Sequence, residues 1–81
     1  MATHRLKTWP EYFNKVKCRE KMWELRINDR DFQTGDTVVL AEWDQSQEDF
    51  TGDYQIFLIG YVFTDNLGIQ PGWCIFSLEE R

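Results

Sequence analysis

The sequence predicts a small α+β domain, mainly β: a mixed or antiparallel barrel of about five strands with one N-terminal helix. Three observations carry this. Five short stretches, His4–Lys7, 22–28, 37–43, 54–63 and 73–78, alternate in polarity or run continuously apolar, and turn residues separate them. One segment, from about Pro10 to Lys17, has helical spacing instead. The chain has 81 residues, room for one hydrophobic core and not two.

The first strand is His4-Arg5-Leu6-Lys7. Thr8-Trp9-Pro10-Glu11 then signals a helix start. Thr8 is placed to cap, Pro10 suits the first turn, and Glu11 follows Thr8 by three, as in a capping box. Tyr12, Phe13 and Val16 share one helix side, with Asn14, Lys15 and Lys17 facing out. A helix this short is marginal alone and must pack on the sheet. Cys18-Arg19-Glu20 turns the chain into strand 22–28. Period two sends Trp23, Leu25 and Ile27 to one side and Met22, Glu24, Arg26 and Asn28 to the other. The apolar set is expected to face the core and the charged set the exterior.

Asn28-Asp29-Arg30-Asp31 reads as a turn, Phe32 as the anchor pinning it, and Thr34-Gly35-Asp36 as a second turn. Strand 37–43 alternates Val38, Leu40 and Glu42 with Val39, Ala41 and Trp43. Positions 44–53 are polar, with Gly52, and read as a hairpin loop. Strand 54–63 is apolar on both faces: Ile56, Leu58 and Val62 on one, Phe57, Ile59, Tyr61 and Phe63 on the other. Such a strand needs cover on both sides. The helix or barrel interior supplies one cover; a loop or a partner subunit supplies the other, so a homodimer through strand 54–63 is one expectation. Gly60 marks a bulge or bend. Thr64 to Gly72 reads as a loop before the last strand.

The composition excludes several classes. No apolar run is long enough to span a membrane, and no basic-then-apolar leader opens the chain, so a cytoplasmic protein without a membrane partner is expected. Cys18 and Cys74 are far apart and read as reduced thiols. One His and no CxxC leave no zinc pattern, and no phosphate-cradling Gly loop or dinucleotide fingerprint exists, so neither metal nor cofactor is expected. The formal charge of −5 hides an asymmetry. Residues 1–30 hold eight of the nine Lys and Arg against four acids, a net +4; residues 31–81 hold ten acids against Arg81 alone, a net −9. An acidic chain is a poor general binder of phosphate backbones. A fold that gathers the early cations on one face still makes a local positive patch.

The order and spacing of His4-Arg5-Leu6-Lys7, Trp9-Pro10-Glu11-Tyr12-Phe13, Glu20-Lys21, Glu24-Leu25-Arg26, Asn28-Asp29-Arg30-Asp31-Phe32, Gly35-Asp36 and Glu42-Trp43-Asp44 resemble the bacterial and phage family DUF3850. That family is grouped with the ASCH domains of the PUA-like superfamily, and the resemblance runs from His4 to about Leu78. The ASCH signature Gly-x-Lys-x-x-Glu-x-Arg corresponds to Arg19-Glu20-Lys21-Met22-Trp23-Glu24-Leu25-Arg26, with Arg19 in place of Gly. Either the turn there is built differently, or Arg19 holds a backbone angle that Gly holds more easily. Arg19 also adds a cation that can strengthen anion binding or block the cleft. The resemblance implies a PUA-type pseudo-barrel with a cleft, binding of RNA or modified nucleosides there, and in some relatives amide hydrolysis of acetylated cytidine or RNA cleavage.

The expected ligand-binding residues are Lys7, Trp9, Lys21, Glu24, Arg26 and Arg30. Lys21 at a cleft mouth can hold a phosphate or act as base or nucleophile; at an open turn it is only an exposed lysine. Glu24 can act as a general base or accept from a base edge; alternatively it pairs with Arg26 or Arg30. Arg26 can fork onto a phosphate or tie the strand to the Asp29–Asp31 loop. Trp9 can stack a base or staple the helix to the sheet. Arg30 reads as a loop staple more than a ligand, and His4 as structural. Three functions follow: an RNA or nucleoside binder, a small hydrolase with Lys21 and Glu24 as its catalytic pair, and an acidic protein-interaction module.

Overall fold

The computed structural model describes residues 1–64 and 67–81. Positions 65 and 66 of the loop expected at 64–72 lie outside the described residues. The elements are β1 (Thr3–Thr8), α1 (Pro10–Lys17), β2 (Trp23–Ile27), β3 (Thr37–Asp44), β4 (Asp49–Phe63) and β5 (Trp73–Glu79). They form one five-stranded sheet in the order β1-β3-β4-β5-β2. β1 runs parallel to β3, and every other pairing is antiparallel. The sheet curls into a half-barrel, a mainly β α+β fold.

Curling brings the two edge strands, β1 and β2, towards each other. Two guanidinium groups span the seam. Arg26 Nη2 donates to the Lys7 carbonyl at 3.0 Å, and Arg30 Nη1 donates to the Arg5 carbonyl at 2.9 Å. The concave side holds the core: Leu6, Val38, Leu40, Phe57, Ile59, Phe76 and Leu78 from the sheet, Phe32 from the 28–36 loop and Val16 from the helix. Phe13 is also fully buried, so α1 packs by the face its spacing indicates. Phe32 anchors its loop as expected, and its backbone N–H donates to the Asn28 side chain at 3.1 Å.

Four local expectations are corrected. The N-cap of α1 is Trp9, without a side-chain cap; Thr8 ends β1 and its hydroxyl donates to the Leu6 carbonyl. Tyr12, expected on the packed helix side, is exposed. The polar stretch 44–53 is mostly ladder, reaching Asp44↔Asp49, because Trp43 and Phe50 pair across it edge to face at 4.9 Å. Trp43 therefore packs in the hairpin. In β4 the bulge expected at Gly60 is present, with the register shifting between Ile59 and Val62. One extra residue exchanges the faces beyond it. Val62 packs on the core side with Phe57 and Ile59, while Tyr61 faces out.

Cys18 is exposed, Cys74 is buried, and both are free thiols. Burial pushes the Cys74 thiol above its ordinary value. Among the described residues no helix is long and apolar enough to cross a membrane.

Candidate functional site

β2 makes the site, and it does so with its faces reversed from expectation. Glu24 stands opposite Phe76 and Arg26 opposite Cys74, both core residues of β5. Glu24 and Arg26 therefore point to the concave side, and Glu24 is only 4 % exposed. Trp23, Leu25 and Ile27 take the convex side and stand about half exposed, at 49 %, 45 % and 53 %. Period two identifies two faces but not which of them turns inward.

The reason lies in what surrounds the carboxylate. Lys21 Nζ donates to Glu24 Oε1 at 2.8 Å, and Arg26 Nε donates to Glu24 Oε2 at 2.9 Å. Lys21 Nζ also donates to the Trp23 carbonyl at 2.6 Å and lies 4.6 Å from the centre of the Trp23 ring. Arg26 Nη2 continues across the seam to Lys7. A buried carboxylate without partners costs several kcal/mol. With a cation on each oxygen, Glu24 is tolerated inside and locks both cations in place. The three heads converge as expected and stand at the wall of an open groove of about 820 Å³.

Trp9 lines this groove and is 52 % exposed. Arg30 lines it too while holding the Arg5 carbonyl, so it staples the loop as read from sequence. Lys7 is different. Its backbone reaches the site, but its ammonium lies 3.8 Å from the centre of the Trp43 ring on the opposite side of β1. Its side chain is not brought together with Lys21, Glu24 and Arg26. Tyr12 was missed: it lines the groove beside Trp9. The signal was available, since positions 9 and 12 are neighbours on a helix surface. His4 is structural, buried with its Nε2 at 2.9 Å from Asp36 Oδ2.

Arg19 holds φ +66°, the left-handed conformation that favours Gly. It follows the C-cap of α1, where Glu20 N–H donates to the Lys15 carbonyl and Arg19 N–H to the Val16 carbonyl. That is a Schellman closure with Arg in the glycine position. The Arg19 guanidinium turns to Glu80 (2.9 Å) and Gln55 (3.0 Å), away from the groove. It neither blocks the cleft nor adds charge to it.

Chemically, the cluster carries a formal +1. An ammonium has three donors and a guanidinium five. Lys21 uses two and Arg26 uses two inside the protein. The remaining donors, beside exposed aromatic rings, suit a ligand with an anionic or acceptor-rich group attached to a flat ring.

Fold and site together define a half-barrel domain with a charged, aromatic-rimmed groove at its seam. The model of the family described as "Domain of unknown function (DUF3850)" matches residues 3–78, and the chain belongs to that family. It is 41 % identical over 49 residues to the "Uncharacterized 12.9 kDa protein in GpA 3'region" of Escherichia phage P2. That match covers 60 % of this chain and 43 % of the phage protein, so the chain spans less than half the length of this relative.

Proposed function

We propose that the seam groove binds single-stranded RNA or a modified nucleoside, with Lys21 and Arg26 as anion contacts and Trp9 as a stacking surface. This follows the expected grouping with ASCH and PUA-like domains and a cytoplasmic setting, which an exposed free Cys18 suits. The observation that supports it most is the Lys21–Glu24–Arg26 cluster, cationic overall in an acidic chain and fixed beside exposed rings. Bases stack on aromatics at about 1–3 kcal/mol each, and phosphates supply a salt-dependent term.

The test is a titration of a short single-stranded RNA, and separately of acetylated cytidine, at low and moderate salt. Wild-type protein binds more weakly as salt rises. Lys21→Ala and Trp9→Ala each lose about tenfold or more in affinity, the scale of one lost contact. Circular dichroism confirms that each variant is folded. No binding at low salt, or wild-type affinity in Lys21→Ala, removes the reading.

The 2.8 Å contact between Lys21 and Glu24 favours one second reading, a hydrolase using that pair as acid and base. The same samples, assayed for acetate release and for RNA cleavage, decide it. Turnover lost in Glu24→Gln supports catalysis; turnover unchanged in both Glu24→Gln and Lys21→Ala refutes it.

A further inference from the structure

The reversal of β2 leaves an apolar surface on the convex side, of which Trp23, Leu25, Ile27 and Trp73 also border the groove. On the convex side, three strands place apolar side chains in rows. Leu25 of β2 is opposite Ile75 of β5, which is opposite Phe63 of β4. Ile27 is opposite Trp73. Trp23 is opposite Ser77, whose hydroxyl accepts the backbone N–H of Tyr61. Among these residues the hydroxyls of Ser77 and Tyr61 are polar and none is charged; at the border Lys21 Nζ lies 4.6 Å from the centre of the Trp23 ring and Glu79 stands over Gly60. The helix covers the other side of the sheet, with Val16 in the core.

We propose that this face is the interface of a homodimer, formed by two half-barrels packing convex face to convex face. The area supports a second copy. Tyr61 is 70 % exposed and Trp23, Leu25 and Ile27 about half. At ~150–250 Å² for each aromatic, one copy leaves roughly 500 Å² of apolar surface in water. Two copies bury about 1,000 Å², the threshold of a biological interface and the size of a weak, reversible one. Patches of about 500 Å² lie in the upper range seen on single chains, where they commonly serve a function.

Charge supports self-association over other occupants. Each chain carries a formal −5, so two copies repel except where the surface is uncharged. A two-fold axis through this face opposes no like charges. A nucleic acid or an anionic membrane needs several cations, and these rows carry none; Lys21 stands only at their border, held by Glu24. Pairing through the open edge of β2 leaves the apolar rows in water. The interface therefore lies on the β2 and β5 faces and only the end of β4, not along strand 54–63 as a whole. Trp23, Leu25, Ile27 and Trp73 also border the groove, so the test reads oligomeric state without ligand and its outcome is separate from what the groove binds.

Light scattering and sedimentation on the full chain test it. The expected species has twice the 9.8 kDa chain mass and dissociates on dilution. Leu25→Glu and Tyr61→Glu place a charge in the face without touching the core, so both variants keep the wild-type circular dichroism spectrum. Each raises the dimer dissociation constant by about a hundredfold or more, the scale of burying an unpaired charge. A wild-type monomer at the highest soluble concentration overturns the proposal. So does a dimer that survives Tyr61→Glu, because edge pairing through β2 does not involve Tyr61, two strands away.

Discussion

Glu24 shows how a carboxylate is made tolerable on the inward face of a strand. Its two oxygens meet Lys21 and Arg26, so the charged set is satisfied where the sheet places it. A comparable pairing fixes the start of the sheet. Asp36 accepts from His4 Nε2, from the Ala2 N–H and from the Gln33 N–H. The His4 hydrogen bond is the largest influence holding its carboxyl below the ordinary value of 3.8, opposed by burial and helped by the two backbone donors. A carboxyl with a lower pKa folded than unfolded stabilises the fold at every pH above the unfolded value. That stabilisation is lost as pH falls through the folded value. Urea midpoints measured against pH are therefore expected to show this contribution intact down to about pH 4 and falling below it. Asp36→Asn is expected to cost about 1–3 kcal/mol near neutrality, since buried donors lose a charged acceptor, and to flatten the acid limb. A variant with wild-type stability at both ends of the series removes the assignment.

At the scale of elements, α1 was the most legible part of the chain. Pro10 fixes its first turn, and the Phe13 and Val16 spacing fixes its buried side. Its end at Lys17 is as legible as its start, and the left-handed Arg19 that closes it is signalled by the glycine it replaces in the signature. Arg19 accepts φ +66° and its guanidinium holds Glu80, Gln55 and the Val16 and Lys17 carbonyls. Backbone cost and side-chain gain are separable. Arg19→Ala keeps the unfavourable φ and loses the side-chain bonds; Arg19→Gly loses the bonds and relieves the φ. Thermal or urea melts are expected to place the Gly variant about 1 kcal/mol above the Ala variant. Equal stability means that the backbone bears no strain at this position. The hairpin of β3 and β4 is legible as a hairpin, but not the length of its ladder. Its tip is polar in composition, and only the pairing of Trp43 with Phe50 extends the ladder through it.

Across the whole molecule, the cationic first 30 residues and the acidic rest are joined by two ion pairs among the described residues, Lys17 with Asp53 and Arg19 with Glu80, and by the hydrogen bond of His4 with Asp36. Lys15, Lys21, Arg26 and Arg30 pair with acids of the first 30 residues instead, and the groove keeps the Lys21 and Arg26 pair. Among the described residues the seam it occupies has no backbone ladder. The Arg5 and Lys7 carbonyls face it, so alternation turns their N–H groups the same way, while Leu6 bonds towards β3. Hydrogen exchange is expected to be fast at the Arg5 and Lys7 amides and slow at Leu6. Arg26→Ala with Arg30→Ala, which removes both bridges, is expected to accelerate exchange along β1 while leaving β4 and β5 protected. Uniform protection along β1 in that double variant means the guanidinium bridges do not hold the seam.

By itself the sequence determined the order of the five strands and the helix, the bounds of the helix, the bulge at Gly60, the anchor at Phe32 and the trio Lys21, Glu24 and Arg26. These follow from local propensity and from residue spacing, which act within a few positions. Only the tertiary structure decided that the trio faces inward, that the Lys7 ammonium leaves the groove for Trp43, and that Trp23, Leu25 and Ile27 meet water. Alternation fixes two faces of a strand, but which one is covered depends on how the sheet curls and on partners far away in the chain, and no local pattern records that.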